Sequence, residues 1–583
     1  MRYSEVVEVC ERIERATKRI EMTDLLVYLF KKTPAESIDR VIYLIQGKLY
    51  PDFVGIELGI AEKLAIRAIS HAYGISHDEV ADAFKKMGDL GEVVRKFAHS
   101  RKQKALFTNP LTVERVYEVL DRIARTSGAG SQDAKIKMLS GLLTDSTPDE
   151  AKYIVRTVTG KMRLGIADMT ILDALTLAYT ADKENRKYVE RAYNLCSDLG
   201  EIAKTLASEG IEGVKKYRIR VGRPVRMMLA QRMSNAGEIL RKLGGNAACE
   251  WKYDGERIQI HKKGDDVVLF SRRLENITSQ YPDVCDMVRA HVRCDDAIIE
   301  GECVAVHPES GELLPFQELM HRRRKHGIEE AVKKFPASIF MFDALYIDGN
   351  DLIEKPYMIR RKCLEDIVEK SEQIRVTEMI ISDDVDEIER FFHRAIEAGC
   401  EGLILKATEG IYQAGARGWL WIKLKRSYQA KMIEPIDVVV VGAFHGRGRR
   451  SGTYGALLVA VYDRENDVFT TISKVGSGFK DEDLEILPEM LAPYRISHMH
   501  PRVKSEMQAD VWFSPSVVME IIGDELTLSP IHTTAFGKIR ENAGIAVRFP
   551  RFTGRWRHDK SPEDATTVDE IVEMYKSQLK TIA

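Results

Sequence analysis

From residue 1 to about residue 215, apolar residues recur at helical spacing and the alternation typical of strands is scarce, so this part is predicted to be helical. One helix start is well marked. Thr147-Pro148-Asp149-Glu150 sets an N-cap threonine before proline at the first helical position, and the glutamate is placed to close a capping box. The helix that follows is expected to carry Ile154, Val155 and Val158 into a core, and Ile171, Leu172, Leu175 and Leu177 give another apolar face. A polar turn, Thr159 to Gly165, lies between them. Tyr217 to Pro224 then interrupts the pattern with charge, Gly and Pro and reads as a linker.

Beyond it the period changes to two. Arg257-Ile258-Gln259-Ile260-His261 alternates as a half-buried strand does, Lys262 to Asp266 supply a Gly-containing turn, and Val267 to Phe270 return as a hairpin. Further strands are expected at Ile298 to Val306, Ile339 to Ile347 and Leu403 to Lys406, giving an α+β domain built on antiparallel pairs. After Lys425 the strands shorten (Val438 to Ala443, Ala456 to Tyr462, Val517 to Ile522) and glycine-rich turns such as His445 to Gly452 split them. That spacing suits a small closed barrel of the OB-fold kind, followed by a last helix from about Val568. The fold class is therefore multidomain: an all-α domain over 1–217, an α+β domain over 218–427 and a β-barrel OB-fold over 428–583. No internal repeat or low-complexity tract interrupts this plan.

Composition changes the picture in three ways. At 583 residues the chain exceeds what one core usually organises, and no apolar run approaches the length of a membrane span. The N-terminus mixes acids and bases without a signal-peptide block, so a soluble cytoplasmic protein is expected. Eight cysteines without a C-x-x-C pair suggest neither a zinc ribbon nor a disulfide framework. The formal net charge of −2 means that any surface for nucleic acid must be locally basic.

The sharpest chemical signal is Glu250-Trp251-Lys252-Tyr253-Asp254-Gly255-Glu256-Arg257. A lysine attacks phosphorus only when its amine is neutral, and a nearby cation lowers its pKa toward that state; Arg257 is expected to be that cation. Gly255 would let the chain turn tightly between two strands. Taken alone, the octet also suits a surface hairpin of ordinary charged residues.

The octet resembles motif I of the covalent nucleotidyltransferases, the superfamily of DNA ligases, RNA ligases and capping enzymes. Further motifs of that superfamily follow in order. Ser271 to Asn276 resembles motif Ia, Glu300 to Val304 motif III, and Phe342 to Tyr346 motif IIIa. Glu401 to Lys406 resembles motif IV, Trp421 to Lys425 motif V, and Arg548 to Lys560 motif VI. The resemblance implies that Lys252 takes AMP from ATP, that Glu250 reads the adenine edge and that Phe342 stacks on the base. It further implies that Arg272 and Glu302 hold the ribose and metal region, that Glu302 and Glu401 bind Mg²⁺, and that Arg417, Lys423 and Lys425 clamp the α-phosphate beside Arg257. Arg557 and Lys560 would orient pyrophosphate.

Lys161-Met162-Arg163-Leu164-Gly165-Ile166 and the helix after it resemble the DNA-binding domain of archaeal and eukaryotic replicative ligases, so Lys161, Arg163 and the backbone at Gly165 are expected to meet DNA phosphates. Over nearly the whole chain the pattern resembles the archaeal ATP-dependent type. It implies a monomer that seals nicks in double-stranded DNA during replication, repair and recombination. Gln103-Lys104-Ala105-Leu106-Phe107 resembles a sliding-clamp docking segment, with Leu106 where its first ring is expected. Capping enzymes and RNA ligases are the enzymatic alternatives, and a non-catalytic nick-binding scaffold is the other. NAD-dependent ligases are disfavoured because they add zinc-binding cysteines.

Overall fold

The computed structural model describes residues 1–100, 110–180, 182–306, 313–314, 316–322, 327–425, 435–446 and 452–580. Two compact units make up the chain: residues 1–84 with 90–425, and residues 85–89 with 426–583. The clamp-like segment at 103–107 and most of the glycine-rich turn at 447–451 lie outside the described residues.

Helices from Tyr3–Arg15 to Leu199–Lys215 build the N-terminal region around one apolar core. The capping box forms as the sequence predicts: Thr147 Oγ1 accepts from the Glu150 amide, and the Thr147 amide donates to Glu150 at 2.8 Å. Ile154, Val155 and Val158 of helix Pro148–Val158 are buried. So are Lys152 and Arg156 of the same helix, which an amphipathic helix would have kept on its wet face. Lys152 Nζ lies 2.6 Å from Glu11 and 2.8 Å from both Glu14 and Glu92. Burial raises the pKa of Glu14, but hydrogen bonds from Arg156 and Lys152 overcome it and bring it down to about 2.

The central region contains strands β1 (Leu229–Arg232), β2 (Ala247–Lys252), β3 (Glu256–Lys263), β4 (Asp266–Ser271), β5 (Asp296–Ala305), β6 (Ala337–Ile347), β7 (Asn350–Asp351), β8 (Ile374–Val376), β9 (Met379–Ser382), β10 (Gly402–Lys406) and β11 (Arg417–Lys425). They form two sheets, ordered β1-β11-β10-β2-β9 and β4-β3-β5-β6-β7, with β8 also on β6. The hairpin read from the sequence is β3–β4, in register from Ile258 opposite Ser271 to Lys263 opposite Asp266. Most pairs are antiparallel, as expected, but β1–β11 and β6–β8 run parallel. Their phase in the sequence is the same for either direction, so the pattern did not distinguish them.

The stretch expected to be a linker is packed. Tyr217, Ile219 and Pro224 of it are buried, and Ile219 shares a small core with Val225 and Met228 just beyond it and with Leu195, Tyr412 and Trp421, which joins the helical and central regions. Gln259 bonds both backbone groups of Val225, at 2.8 and 3.0 Å, and His261 Nδ1 accepts from the Gly222 amide at 2.9 Å. Charge, Gly and Pro signal a broken helix, and a broken helix can still be tied down by side chains from strands far along the chain.

In the second unit, β12 (Ile436–His445), β13 (Tyr454–Asp463), β14 (Val468–Val475), β15 (Arg495–Ile496), β16 (Val503–Lys504), β17 (Val511–Phe513), β18 (Val518–Ile522) and β21 (Arg551–Trp556) form one curled sheet, and β19 (Glu525–Ser529) pairs β20 (Gly544–Arg548). One half of β12 pairs β18 and the other pairs β17, with a bulge against β13 at Val440 to Gly442. That change of partner rolls the sheet into a half-barrel of the OB-fold class. Helix Val568–Lys580 closes the unit.

Candidate active site

Strand phase sets the site. On β10, Ile404 stands opposite Glu250 of β2 and Lys423 of β11, while Gly402 stands opposite Lys252 and Lys425. Residues directly opposed on antiparallel strands share a face, so Glu250, Lys252, Lys406, Trp421 and Lys423 point one way. The alternate residues Cys249, Leu403, Leu405, Ile422 and Leu424 form the core behind them. The other sheet repeats the arrangement, with Arg257 opposite Glu302 and Gln259 opposite Glu300 on one face, and Ile258, Ile260, Ile299 and Cys303 in the core behind.

A cavity of about 450 Å³ is lined by both polar faces. Glu250, Lys252, Arg257, Arg272, Glu302, Phe342, Arg417 and Lys423 all line it, although they come from strands and turns spread over 174 positions, from Glu250 to Lys423 counted inclusively. Lys425 ends β11, and its side chain lies outside the described residues. Glu401 is brought in by β10: its amide donates to the Lys252 carbonyl, and its carboxylate lies 2.5 Å from Lys252 Nζ.

Electrostatics correct one expectation. Burial lowers the pKa of Lys252, but Glu401 and Glu302 outweigh it, and the net shift is upward. Arg257 is not the cation beside the amine. Its guanidinium donates to Glu300 at 2.7 Å and to the Met228 carbonyl at 2.7 Å, and it stacks over Phe342 and Trp421 at 5.2 and 5.5 Å. Glu300, two positions along β5 from the direct strand partner Glu302, takes the guanidinium because it offers a fully buried carboxylate. Glu302 is pushed up to about 7, first by burial and then by Glu401 and Asp254, against the pull of Lys252 and Arg257.

Gly255 has a different job from the one its residue type suggests. Its φ is not in the left-handed region; a Cβ there would stand 2.2 Å from the Cys303 carbonyl oxygen. Close approach of β5 is what demands glycine.

Several lining residues carried no role in the sequence analysis: Lys406, Trp421, Tyr253 and Arg273. Lys406 is fully buried against Phe342, Tyr357 and Trp421. Its even phase on β10, shared with Gly402 and Ile404, was the signal that could have found it.

The remaining candidates lie elsewhere. Lys161, Arg163 and Gly165 are exposed on the turn before helix Asp168–Thr180, while Met162 and Leu164 between them are buried. Arg163 and Gly165 hold φ of 58° and 67°, and Lys161 pairs with Glu62 at 2.5 Å. In the second unit, Arg557 and Lys560 both bind Asp437, each at 2.8 Å.

Two polar sheet faces enclosing a half-buried lysine among carboxylates, with cations on the neighbouring strand, form a nucleotidyltransferase pocket. Residues 227–425 match the family described as ATP dependent DNA ligase domain, residues 2–176 match DNA ligase N terminus, and residues 450–560 match ATP dependent DNA ligase C terminal region. The chain is 55% identical to DNA ligase 2 of Thermofilum pendens, covering 99% of this chain and 98% of that one. It is 53% identical to the DNA ligase of Staphylothermus marinus, with all of both chains covered. The solved structure Pmar-Lig_PreS3 shares the fold at a TM-score of 0.54 and 18% identity, over 95% of this chain and 99% of that one. The chain belongs to the ATP-dependent DNA ligase family: it is a DNA ligase that uses ATP to form phosphodiester bonds.

Proposed function

We propose that Lys252 is the residue that carries AMP, and that the acceptor is the 5′-phosphate at a nick in duplex DNA. The observation that supports this most is the placement of the half-buried Lys252 in a cavity lined by both polar sheet faces, its Nζ held by Glu401 and within the field of Glu302. In the first displacement the Nζ lone pair forms a bond to the α-phosphorus, the bond from that phosphorus to the bridging oxygen breaks, and pyrophosphate leaves. AMP then passes to the 5′-phosphate, and attack by the 3′-hydroxyl releases it. Arg417, Lys423 and Lys425 are assigned to the charge that builds on the α-phosphate, a task of positioning and electrostatics. Phe342 is assigned to base stacking, Arg272 to the ribose, Glu250 to the adenine amino group and Arg557 with Lys560 to pyrophosphate.

The donor set fits Mg²⁺. Glu302, Glu401 and Asp254 offer hard carboxylate oxygens around a single ammonium, which leaves the spot net negative. Mg²⁺ held by Glu302 and Glu401 would neutralise the two carboxylates that keep the Lys252 ammonium charged, leaving the opposing effect of burial free to lower its pKa.

Lys161, Arg163 and the Gly165 amide are assigned to DNA phosphates; Lys161 must exchange Glu62 for phosphate to do so. The test is self-labelling with α-labelled ATP and chase onto nicked DNA or RNA duplexes. Label should appear at residue 252, vanish in Lys252→Ala and move to nicked DNA in preference to RNA. Full labelling of the alanine variant sinks the assignment.

A further inference from the structure

Glu250 is buried to 2% exposure, and both of its oxygens are taken. Oε2 receives Lys406 Nζ at 2.6 Å; Oε1 receives Arg361 Nη1 at 2.8 Å together with the Tyr357 hydroxyl. Lys406 lines the cavity, but Arg361 and Tyr357 do not, and neither belongs to any of the motifs that mark the family. Both stand on helix Tyr357–Ile367, four positions apart and therefore on one face; the helix packs against β6 and reaches Glu250 of β2 through these two side chains. Arg361 is itself fixed, with Nη2 donating to the Thr377 carbonyl and Nε to Glu365, each at 2.7 Å. Thr377 sits just ahead of β9, the strand that pairs β2 through Glu250 opposite Met379. The guanidinium is thus bolted to the same sheet edge as the carboxylate that it holds.

A planar guanidinium with three of its nitrogens committed in fixed directions does more than neutralise charge; it sets the rotation of the group that it binds. From this geometry we infer that Arg361, with Tyr357, is a positioning residue for base selection. They fix the rotation of the Glu250 carboxylate: Oε1 already receives two donors and Oε2 one, so the acceptor capacity that remains is concentrated on Oε2 and held in one direction. A purine carrying an exocyclic amino group at C6 then finds an acceptor, whereas one carrying a carbonyl there meets a second acceptor and is refused. This rests on the assignment of Glu250 to the adenine edge.

The experiment measures self-labelling of the full chain with ATP and with inosine triphosphate, which differs from ATP in having that carbonyl. Arg361→Met should raise the KM for ATP about 10- to 100-fold with a smaller change in the saturated rate, and narrow the preference for ATP over inosine triphosphate by about tenfold. Arg361→Lys should restore part of the preference, and Tyr357→Phe, which keeps the ring in place, should show the same trend at smaller size. If Arg361→Met or Tyr357→Phe lowers both nucleotides equally and leaves the preference untouched, Arg361 and Tyr357 are merely structural and the inference is overturned. Glu250→Gln separates the two levels: an unchanged preference there sinks the assignment of Glu250 itself, while a collapsed preference there with an intact one in Arg361→Met sinks only the positioning role.

Discussion

At the scale of single residues, Lys252 and Gly255 show how far residue type and partner can diverge. The amine is held charged by acids in contact with it, and the nearby arginine serves Glu300 instead. Gly255 is excluded from being anything larger by the Cys303 carbonyl. Gly255→Ala is expected to cost about 1–3 kcal/mol in urea unfolding and to slow self-adenylation by at least about tenfold, because the strand that carries Glu302 must shift away from Lys252. A variant with the parent labelling rate would show that the close approach is not needed. His261 offers a test through pH. Burial pushes its pKa down to about 3, so between that value and the ordinary 6.5 or so the unfolded chain binds a proton that the folded one does not. The neutral imidazole's stability contribution is present above pH 6.5 or so and is lost at roughly 1.4 kcal/mol per pH unit as pH falls toward 3. Denaturation of His261→Gln against the parent at pH 7 and pH 4 should show the variant relatively more stable at the lower pH; parallel curves would refute it.

Secondary-structure elements were legible where the apolar pattern is regular. β3 and β4 were legible as an alternating hairpin, and β5, β6 and β10, buried along most of their length, as apolar runs; all fall within a few residues of their expected positions. Helix Pro148–Val158 was legible at its cap and not around its girth. A lysine and an arginine in a helix ordinarily mark the solvent side, and only the arrival of Glu11, Glu14 and Glu92 from two other helices makes their burial tolerable. Lys152→Met is therefore expected to destabilise the first unit by about 3–5 kcal/mol, since three acids lose a shared cation, whereas Thr147→Ala at the cap should cost about 1 kcal/mol. Equal losses in denaturant unfolding would mean that the buried charge cluster contributes no more than an ordinary helix end.

On the scale of the whole molecule, the segment from Tyr217 to Val225 decides whether the helical and adenylation regions behave as separate beads or as one body. Its buried side chains, and its bonds to Gln259 and His261, tie it to the sheet that carries Arg257 and Glu302. Brief trypsin treatment under native conditions should spare the bonds after Arg218 and Arg220 despite their basic, Gly-containing surroundings; early cleavage there would contradict the packing. The motif order and the strand phases were determined by the sequence itself, because periodicity states which residues share a face and spacing states which residue types recur together. Tertiary structure alone decided which charges meet: Arg257 with Glu300, Lys252 with Glu401, Arg361 with Glu250. The physical reason is that phase carries no information about partners. Residues from 43 to more than a hundred positions apart become neighbours only through strand order and register, and in a buried site the nearest carboxylate wins the cation.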